Sequence, residues 1–599
     1  MSSVADRLKV LRSVLSDEGL KGLIVPLTDE HMSEYVGAYA NRMAYISGFT
    51  GSAGLVMVLA DKAAVFTDGR YTIQVREQVD GTLFDYETLD QVTPARWLAA
   101  NTGAGDKIGY DGELLRTPFR EKLSAALVRK NASLVMTDGN LIDRIWEDQP
   151  GVPLDPAFVF SDDYAGESAK SKRERLAADL AEKNIDVAPV MLLDSIAWLL
   201  NVRGGDVAHT PVVRSAALLH KSGHVDLFIE QEKVTDDVRA HLGNGVTVNP
   251  RDGFYPALEA IAAEGKSVLF DGESHNTKMH DLLVEGGAKL VDGTDPCVLP
   301  KAIKNQTELA GTRTAHERDA VAIARFLHWI DQTGPSGALD ELACVEKLWA
   351  FRTELGGLKD SSFDTISGAG PNAALPHYRV TQESNRVLAP DSIYLCDSGG
   401  QYLDGTTDIT RTVVIGNPTA KMREHFTRVL RGHIALATTV FARGTSGHAL
   451  DSIARRPLWE AGLDYDHGTG HGVGSFLAVH EGPQRIAKFG SNQALEPGMI
   501  LSNEPGYYLE GQYGIRIENL IIVEPWQEDP DGDMLQFSTI TLAPIDRRLI
   551  EPALMSEAEI AWLNRYHARV YDTLKDKVPG DIKQWLADAT APLEVALAA

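Results

Sequence analysis

Cysteine is nearly absent: Cys297, Cys344 and Cys396 are the only three in 599 residues. Three thiols cannot build a disulfide framework, and their spacing fits no zinc finger, so a reducing compartment is expected. Basic residues are in deficit, 58 against 84 acidic, for a formal net charge of -26. Binding to nucleic acid needs clustered Lys and Arg, so nucleic acid is not expected as a partner, and anionic membranes are disfavoured for the same reason. No apolar run has the length needed to span a bilayer. Residues 1–12 lack the apolar core of a signal peptide, and Leu8, Leu11 and Leu15 share one helical face instead. A cytoplasmic protein without a membrane partner is the expectation. There is no low-complexity tract and no repeat of solenoid period.

What is present is ordinary for a globular protein: 44% hydrophobic and 24% charged residues. Single cores rarely grow beyond about 250–300 residues, so several domains are expected. Residues 1–150 alternate helical and strand patterns, with short apolar strands at Gly22–Pro26, Gly54–Leu59 and Ala63–Phe66. The proline-rich stretch 148–156 reads as a linker. A second α/β pattern follows, with a charged helix near Ala169–Glu182, an apolar segment at Val190–Val202 and strands near Ala216–Leu219 and Val225–Ile229. It is expected to end at Lys304. Asn305 and Glu308 have capping-box spacing and open a long helix in which Ile323, Phe326, Leu327 and Ile330 share a face. A second helix carries Leu342, Val345, Leu348 and Trp349. From about Ser361 the pattern is antiparallel strands with turns, and a helical tail runs from about Glu557 to Leu597. The domains are therefore set at 1–150, 151–304 and 305–599.

The chemistry concentrates between Asp397 and Glu518. Asp397 ends an apolar strand and Asp408 begins the next, with Gly399, Gly400 and Gly405 permitting a tight return between them. A carboxylate at the inner end of an apolar strand is costly unless a cation compensates it. His471 stands in His467-Gly-Thr-Gly-His-Gly-Val-Gly474, whose glycines argue against a metal-binding helix and for a backbone that approaches something closely. Glu504, in Ser-Asn-Glu-Pro-Gly506, and Glu518, in Gly514-Ile-Arg-Ile-Glu518, lie at a strand end or within a strand. Taken singly, each of these residues is common turn or surface chemistry. Together, four carboxylates and one imidazole form a hard, oxygen-rich set that suits Mn²⁺ and, less selectively, Zn²⁺, Co²⁺ or Fe²⁺. Four carboxylates are balanced better by two ions than by one, and two metals about 3.5–4 Å apart are a known hydrolytic arrangement, with a bridging hydroxide as nucleophile.

These residues resemble the pita-bread metallopeptidase family, which holds methionine aminopeptidases, prolidases and Xaa-Pro aminopeptidases. The match rests on the Asp397/Asp408 pair, His-Gly-Thr-Gly-His-Gly-Val-Gly, Asn-Glu-Pro-Gly-Tyr-Tyr and Gly-Ile-Arg-Ile-Glu-Asn. Asp404-Gly-Thr-Thr-Asp-Ile-Thr-Arg411, Val479-His-Glu-Gly-Pro483, Ser47-Gly-Phe-Thr-Gly-Ser-Ala-Gly54 and Thr67-Asp-Gly-Arg-Tyr71 bring it nearest the long, three-domain Xaa-Pro aminopeptidases. The resemblance covers essentially the whole chain. It implies two N-terminal α/β domains of creatinase/prolidase type followed by a pita-bread catalytic domain with mixed α/β and α+β content. It implies Asp397, Asp408, His471, Glu504 and Glu518 as ligands of two manganese ions, with Asp408 and Glu518 bridging. His377 and His480 would flank the substrate and stabilise its oxyanion. His467 would be a further active-site histidine, Arg516 would orient a bridging carboxylate or the substrate, and Tyr508 would support them. Glu504 would also shuttle the proton to the leaving nitrogen.

The implied activity is hydrolysis of the bond between an N-terminal residue and a following proline. That bond is a tertiary amide without an N–H, so its recognition calls for an apolar or aromatic face, which the resemblance implies near Phe363, Tyr378 and His480. A homodimer is implied by the same resemblance. The rivals are a prolidase confined to dipeptides, a catalytically dead binding module and a creatinase-like amidinohydrolase. All five ligand positions are filled, which argues against the last two.

Overall fold

The computed structural model describes residues 3–89, 91–529 and 531–594. The chain divides into two compact units, Met1–Val298 and Leu299–Ala599.

In the first unit, the helix Val4–Asp17 is closed by a capping box between Ser3 and Asp6 and buries Leu8, Leu11 and Leu15. Two six-stranded sheets follow. From edge to edge, the first is Asp85–Thr88, Ala63–Thr67, Leu55–Leu59, Gly22–Pro26, Lys107–Tyr110 and Ser133–Met136. The second is Val246–Pro250, Val225–Ile229, Ser215–His220, Val187–Val190, Ser267–Phe270 and Lys289–Asp292. In both, the fourth strand in chain order lies at one edge, followed by the third, second, first, fifth and sixth. The alternation of parallel and antiparallel pairs is also the same. The unit is thus a topological duplicate, although no repeat is visible in its sequence. The inner strands Leu55–Leu59 and Ala63–Thr67 are buried at every position, as continuous apolar strands covered on both faces must be. Residues 149–157 carry neither helix nor strand, as the proline-rich linker requires. The two sheets' lobes meet through polar contacts. Arg214 pairs with Glu30 at 2.6 Å, Lys278 with Glu113 at 2.7 Å and Arg120 with Asp281 at 2.6 Å.

In the second unit, the capping box of Asn305 and Glu308 starts the helix Gln306–Thr333, which buries Ile323, Phe326, Leu327 and Ile330 as the periodicity predicts. The next helix, Glu341–Glu354, carries Leu342, Val345, Leu348 and Trp349 as expected. Its buried face is Glu341, Cys344, Leu348, Phe351 and Arg352, and Trp349 is 45% exposed. Partnered charges set this rotation: Arg352 grips Asp319 at 2.7 and 3.0 Å, and Glu341 accepts from the Ala369 amide at 2.7 Å. A buried charge with its partners in place is tolerated, and here it outweighs the apolar pattern. The helical tail is also not continuous. Helices Glu557–Leu574 and Gly580–Ala589 are separated by a turn ending at Pro579, and Leu597 lies outside the described residues.

The strands that carry the site form two sheets. Ile366–Ala369, Ser392–Ser398 and Ile409–Ile415 make one, with Asp397 opposite Thr410. Phe441–Ala442, Met534–Thr539, Asn519–Pro525, Ile500–Asn503, Gly470–Gly472 and Glu481–Ile486 make the other. No helix among the described residues is long and apolar enough to cross a membrane.

Candidate metal centre

Each predicted ligand sits within a short strand or next to a strand end. The tight return between Ser392–Ser398 and Ile409–Ile415 is possible because position 399 has no side chain: a Cβ there would meet the Thr407 carbonyl oxygen at 1.9 Å. The return brings Asp408 beside Asp397, and both are buried. Position 470 is equally constrained, since a Cβ would lie 2.0 Å from the Ser502 carbonyl oxygen. The close approach foreseen for the glycine-rich stretch is therefore to the neighbouring strand. It sets His471 beside Glu504, which directly follows Ile500–Asn503. Glu518 occupies the step between Tyr513–Arg516 and Asn519–Pro525 and is 1% exposed.

The groups converge. Single ligand atoms of Asp408, His471 and Glu518 all lie within 4.8 Å of one another. His471 Nε2 is 3.5 Å from Asp408 Oδ2 and 3.5 Å from Glu504 Oε1. Its Nδ1 lies 2.9 Å from the Gly472 carbonyl oxygen. A carbonyl only accepts, so Nδ1 carries the proton and Nε2 turns its lone pair toward the carboxylates. Burial, then Asp397 and Glu504, push the Asp408 carboxyl well above its ordinary range. Burial, then Asp408, Asp397 and Glu504, do the same to Glu518. Asp397 Oδ1 and Asp408 Oδ1 are buried without a hydrogen-bond partner. Four crowded carboxylates, two orphaned acceptors and a pre-set imidazole lone pair fit divalent cations.

Arg516 is the protein's own counter-charge. It donates to Asp397 Oδ2 at 2.6 Å, to Tyr508 Oη at 2.6 Å and to Thr410 Oγ1 at 3.1 Å. Burial disfavours this cation, but Tyr508 and the surrounding carboxylates hold its pKa well above the ordinary value. Burial pushes Tyr508 up to about 12, so it is a neutral phenol near neutral pH, and its hydroxyl lies 2.8 Å from His467 Nε2. His467, Tyr508, Arg516 and Asp397 thus form one hydrogen-bonded chain. His480 is half-buried, its ring centroid 4.3 Å from that of His471. His377 is half-buried in the turn after the short helical segment Gly370–Ala374. Phe363 is likewise half-buried. Tyr378 is removed from the candidates for a proline face: it is 6% exposed, packs with Ile366, Ala373 and Leu395, and its hydroxyl is held by Glu341 at 2.9 Å and Asn372 at 2.8 Å.

Three residues that orient this centre were missed. Thr410 donates to Glu518 Oε2 at 2.8 Å, and Ser502 donates to Glu504 Oε1 at 3.0 Å while accepting from the His471 amide at 2.9 Å. Both stand two residues from a ligand, so the period of a strand, which returns side chains to one face every second residue, was an available signal. Arg411 gave none. It is wholly buried and donates to the carbonyls of Thr410, Glu518, Ala543 and Pro544, to Asn519 Oδ1 and to Tyr566 Oη, at 2.6–2.9 Å.

Residues 310–525 match the model of metallopeptidase family M24, and 533–593 match the C-terminal region of that peptidase. Residues 7–145 and 148–308 each match a creatinase/prolidase N-terminal domain. A probable Xaa-Pro aminopeptidase P from Laccaria bicolor is 39% identical over 608 residues, covering 99% of this chain and 94% of the relative. The chain belongs to metallopeptidase family M24. Aminopeptidase P2 of Arabidopsis thaliana is also 39% identical, over 98% of this chain and 89% of its own. Among solved structures, the X-prolyl aminopeptidase of Caenorhabditis elegans, described as a cytosolic enzyme with a di-nuclear active site, superposes with a TM-score of 0.95 at 34% identity, covering 99% of this chain and all of the other. The duplicated first unit is therefore a pair of creatinase/prolidase N-terminal domains, and the second unit carries the M24 peptidase.

Proposed function

We propose that the protein is a cytoplasmic, manganese-dependent Xaa-Pro aminopeptidase that releases the N-terminal residue from peptides whose second residue is proline. The observation that carries this reading is the convergence of Asp408, His471 and Glu518, with Asp397 and Glu504 alongside, in a family whose members are metallopeptidases. Asp397, Asp408, His471, Glu504 and Glu518 would hold two divalent ions. When bound, such ions supply Lewis acidity and lower the pKa of water. The domains would be 1–150, 151–304 and a pita-bread catalytic domain, 305–599, acting as a homodimer.

The chain's own groups divide the remaining work. Arg516 fixes the Asp397 carboxylate, and Thr410 and Ser502 orient Glu518 and Glu504. Glu504 and His471 are the more open members, with side chains 16% and 20% exposed, so substrate enters from their side. Glu504 accepts a proton from the attacking water as its oxygen adds to the scissile carbonyl, and delivers it to the proline nitrogen, which must be protonated before the C–N bond can break. His480, against the His471 ring, and His377 donate to the carbonyl oxygen as negative charge builds on it. His467 acts through Tyr508 and Arg516 to keep Asp397 in place. The proline ring, with no N–H to offer, is received by the Phe363 and His480 side chains.

The test is a comparison of substrates. Protein stripped with chelator and restored with Mn²⁺ is expected to release Xaa from an Xaa-Pro-Yaa tripeptide. Cleavage confined to an Xaa-Pro dipeptide would make it a prolidase, and activity that survives complete chelation would refute metal dependence.

A further inference from the structure

A buried ionic clamp lies directly behind His480. Glu481 Oε2 is 2.8 Å from Lys301 Nζ, and Glu481 Oε1 is bonded to Lys304 Nζ. The Glu481 side chain is completely buried, and the two lysine side chains are 1–2% exposed. Lys304 Nζ also donates to the Lys301 carbonyl at 2.6 Å, which ties the two lysines together. Lysine and glutamate are almost never buried so deeply without partners, and removing one partner leaves an uncompensated charge. The clamp therefore fixes the position of Glu481 more strictly than apolar packing would.

That position matters because of its neighbours. Glu481 opens the strand Glu481–Ile486 and is paired with Gly472, while Arg485 of the same strand is paired with His471. His480 immediately precedes the strand. Glu481 is held by the lysines, and His480, one residue earlier in the bend that leads into the strand, lies on the His471 side. The ring contact between His480 and His471 agrees with this. The lysines are themselves anchored. Ile303 bridges Met499, and the Lys304 amide donates to the Gly498 carbonyl at 3.1 Å, just upstream of the strand that leads to Glu504.

We infer that Lys301, Glu481 and Lys304 form a positioning device that holds His480 in register with the metal centre. The segment 299–304, which leads into the helix Gln306–Thr333, thereby belongs to the working site. This inference rests on the reading of His480 as a group that meets the substrate. A misplacement of about 1 Å can cost on the order of 100-fold in rate. A group that acts on the transition state shows its loss mainly in kcat.

The experiment is a double-mutant cycle of Glu481→Gln and His480→Ala in the full-length, Mn²⁺-loaded protein. It reads kcat, KM, metal content and Tm with an Xaa-Pro-Yaa tripeptide. Glu481→Gln is expected to lower kcat by about 10- to 100-fold with metal content unchanged and KM within about threefold. In the His480→Ala background the same change is expected to leave kcat where it is, while Tm falls in both backgrounds. Unchanged kcat for Glu481→Gln with a lowered Tm, or an equal kcat loss in both backgrounds, would reduce the clamp to a structural feature and overturn the inference. Full activity of His480→Ala alone would instead overturn the reading of His480 on which the inference rests. If Glu481→Gln does not fold, Lys301→Met, which keeps the Lys304–Glu481 pair, is expected to give the same pattern at smaller amplitude. An additive pattern there would refute the inference equally.

Discussion

Replacing Arg516 with methionine removes the cation from the carboxylate cluster while keeping a side chain of similar length. Three donations are lost, to Asp397, Tyr508 and Thr410. Asp397 Oδ1 already lacks a partner, so Asp397 would be left buried with neither oxygen compensated, beside Asp408, Glu504 and Glu518. Breaking a buried pair in this way costs about 3–5 kcal/mol. At roughly 2–4 °C per kcal/mol for domains approaching this size, the Tm of the metal-free catalytic unit should fall by on the order of 10 °C. Bound divalent ions would neutralise the same carboxylates, so the loss should shrink when metal is present. It should also shrink as pH falls and the cluster takes up protons. The assay is thermal unfolding of wild type and Arg516→Met, each with chelator and with saturating Mn²⁺, near neutral pH. Equal shifts in the two metal states, or none, would refute the argument that Arg516 stands in for missing positive charge.

Proton linkage gives a second prediction. Asp408 and Glu518 are held above their ordinary values by burial and by each other's neighbours, whereas in the unfolded chain they titrate near 4. The metal-free fold therefore binds more protons than the unfolded chain above about pH 4, and its stability should decline as pH rises through the raised folded values. Metal needs both as carboxylates, so its uptake should expel protons and strengthen as pH rises. Calorimetric titration in buffers of different ionisation enthalpy counts those protons, and a count of zero would contradict the reading. A third prediction concerns Arg411, whose loss would strand several buried acceptors at once. Arg411→Met should destabilise the catalytic unit by about 3–5 kcal/mol, read as a lowered Tm, and Arg411→Lys should not restore it, because an ammonium cannot reproduce the planar fork.

What could be read before folding depended on whether the signal was local. The capping box at Asn305 and Glu308, the helix Ala169–Glu182 and the strands around Gly22 and Val225 follow from neighbours a few residues apart, and they stand as expected. The cluster of Asp408, His471 and Glu518 could be anticipated because each stood among glycines or at the end of an apolar strand, where an ionisable side chain is unusual. The duplication of the two N-terminal sheets was invisible, because each lobe fills the same topology with different apolar residues. Arg411, Lys301, Lys304 and Glu481 were invisible for another reason. In a sequence they look like solvated charges, and only tertiary burial reveals that each is enclosed with its partners. Likewise, burial of the partnered charges of Arg352 and Glu341 sets the inward face of the helix Glu341–Glu354 and leaves Trp349 outside.

The central claim is that hydrolysis depends on metal held by this set of side chains, and Asp408→Ala addresses it most directly. Asp408 is 4% exposed, its Oδ2 lies 3.5 Å from His471 Nε2, and its other oxygen has no partner. Metal content and tripeptide turnover should be measured on variant protein whose circular dichroism matches wild type. The account expects a folded chain that retains neither the two metal equivalents nor activity. A folded variant with full turnover would contradict it.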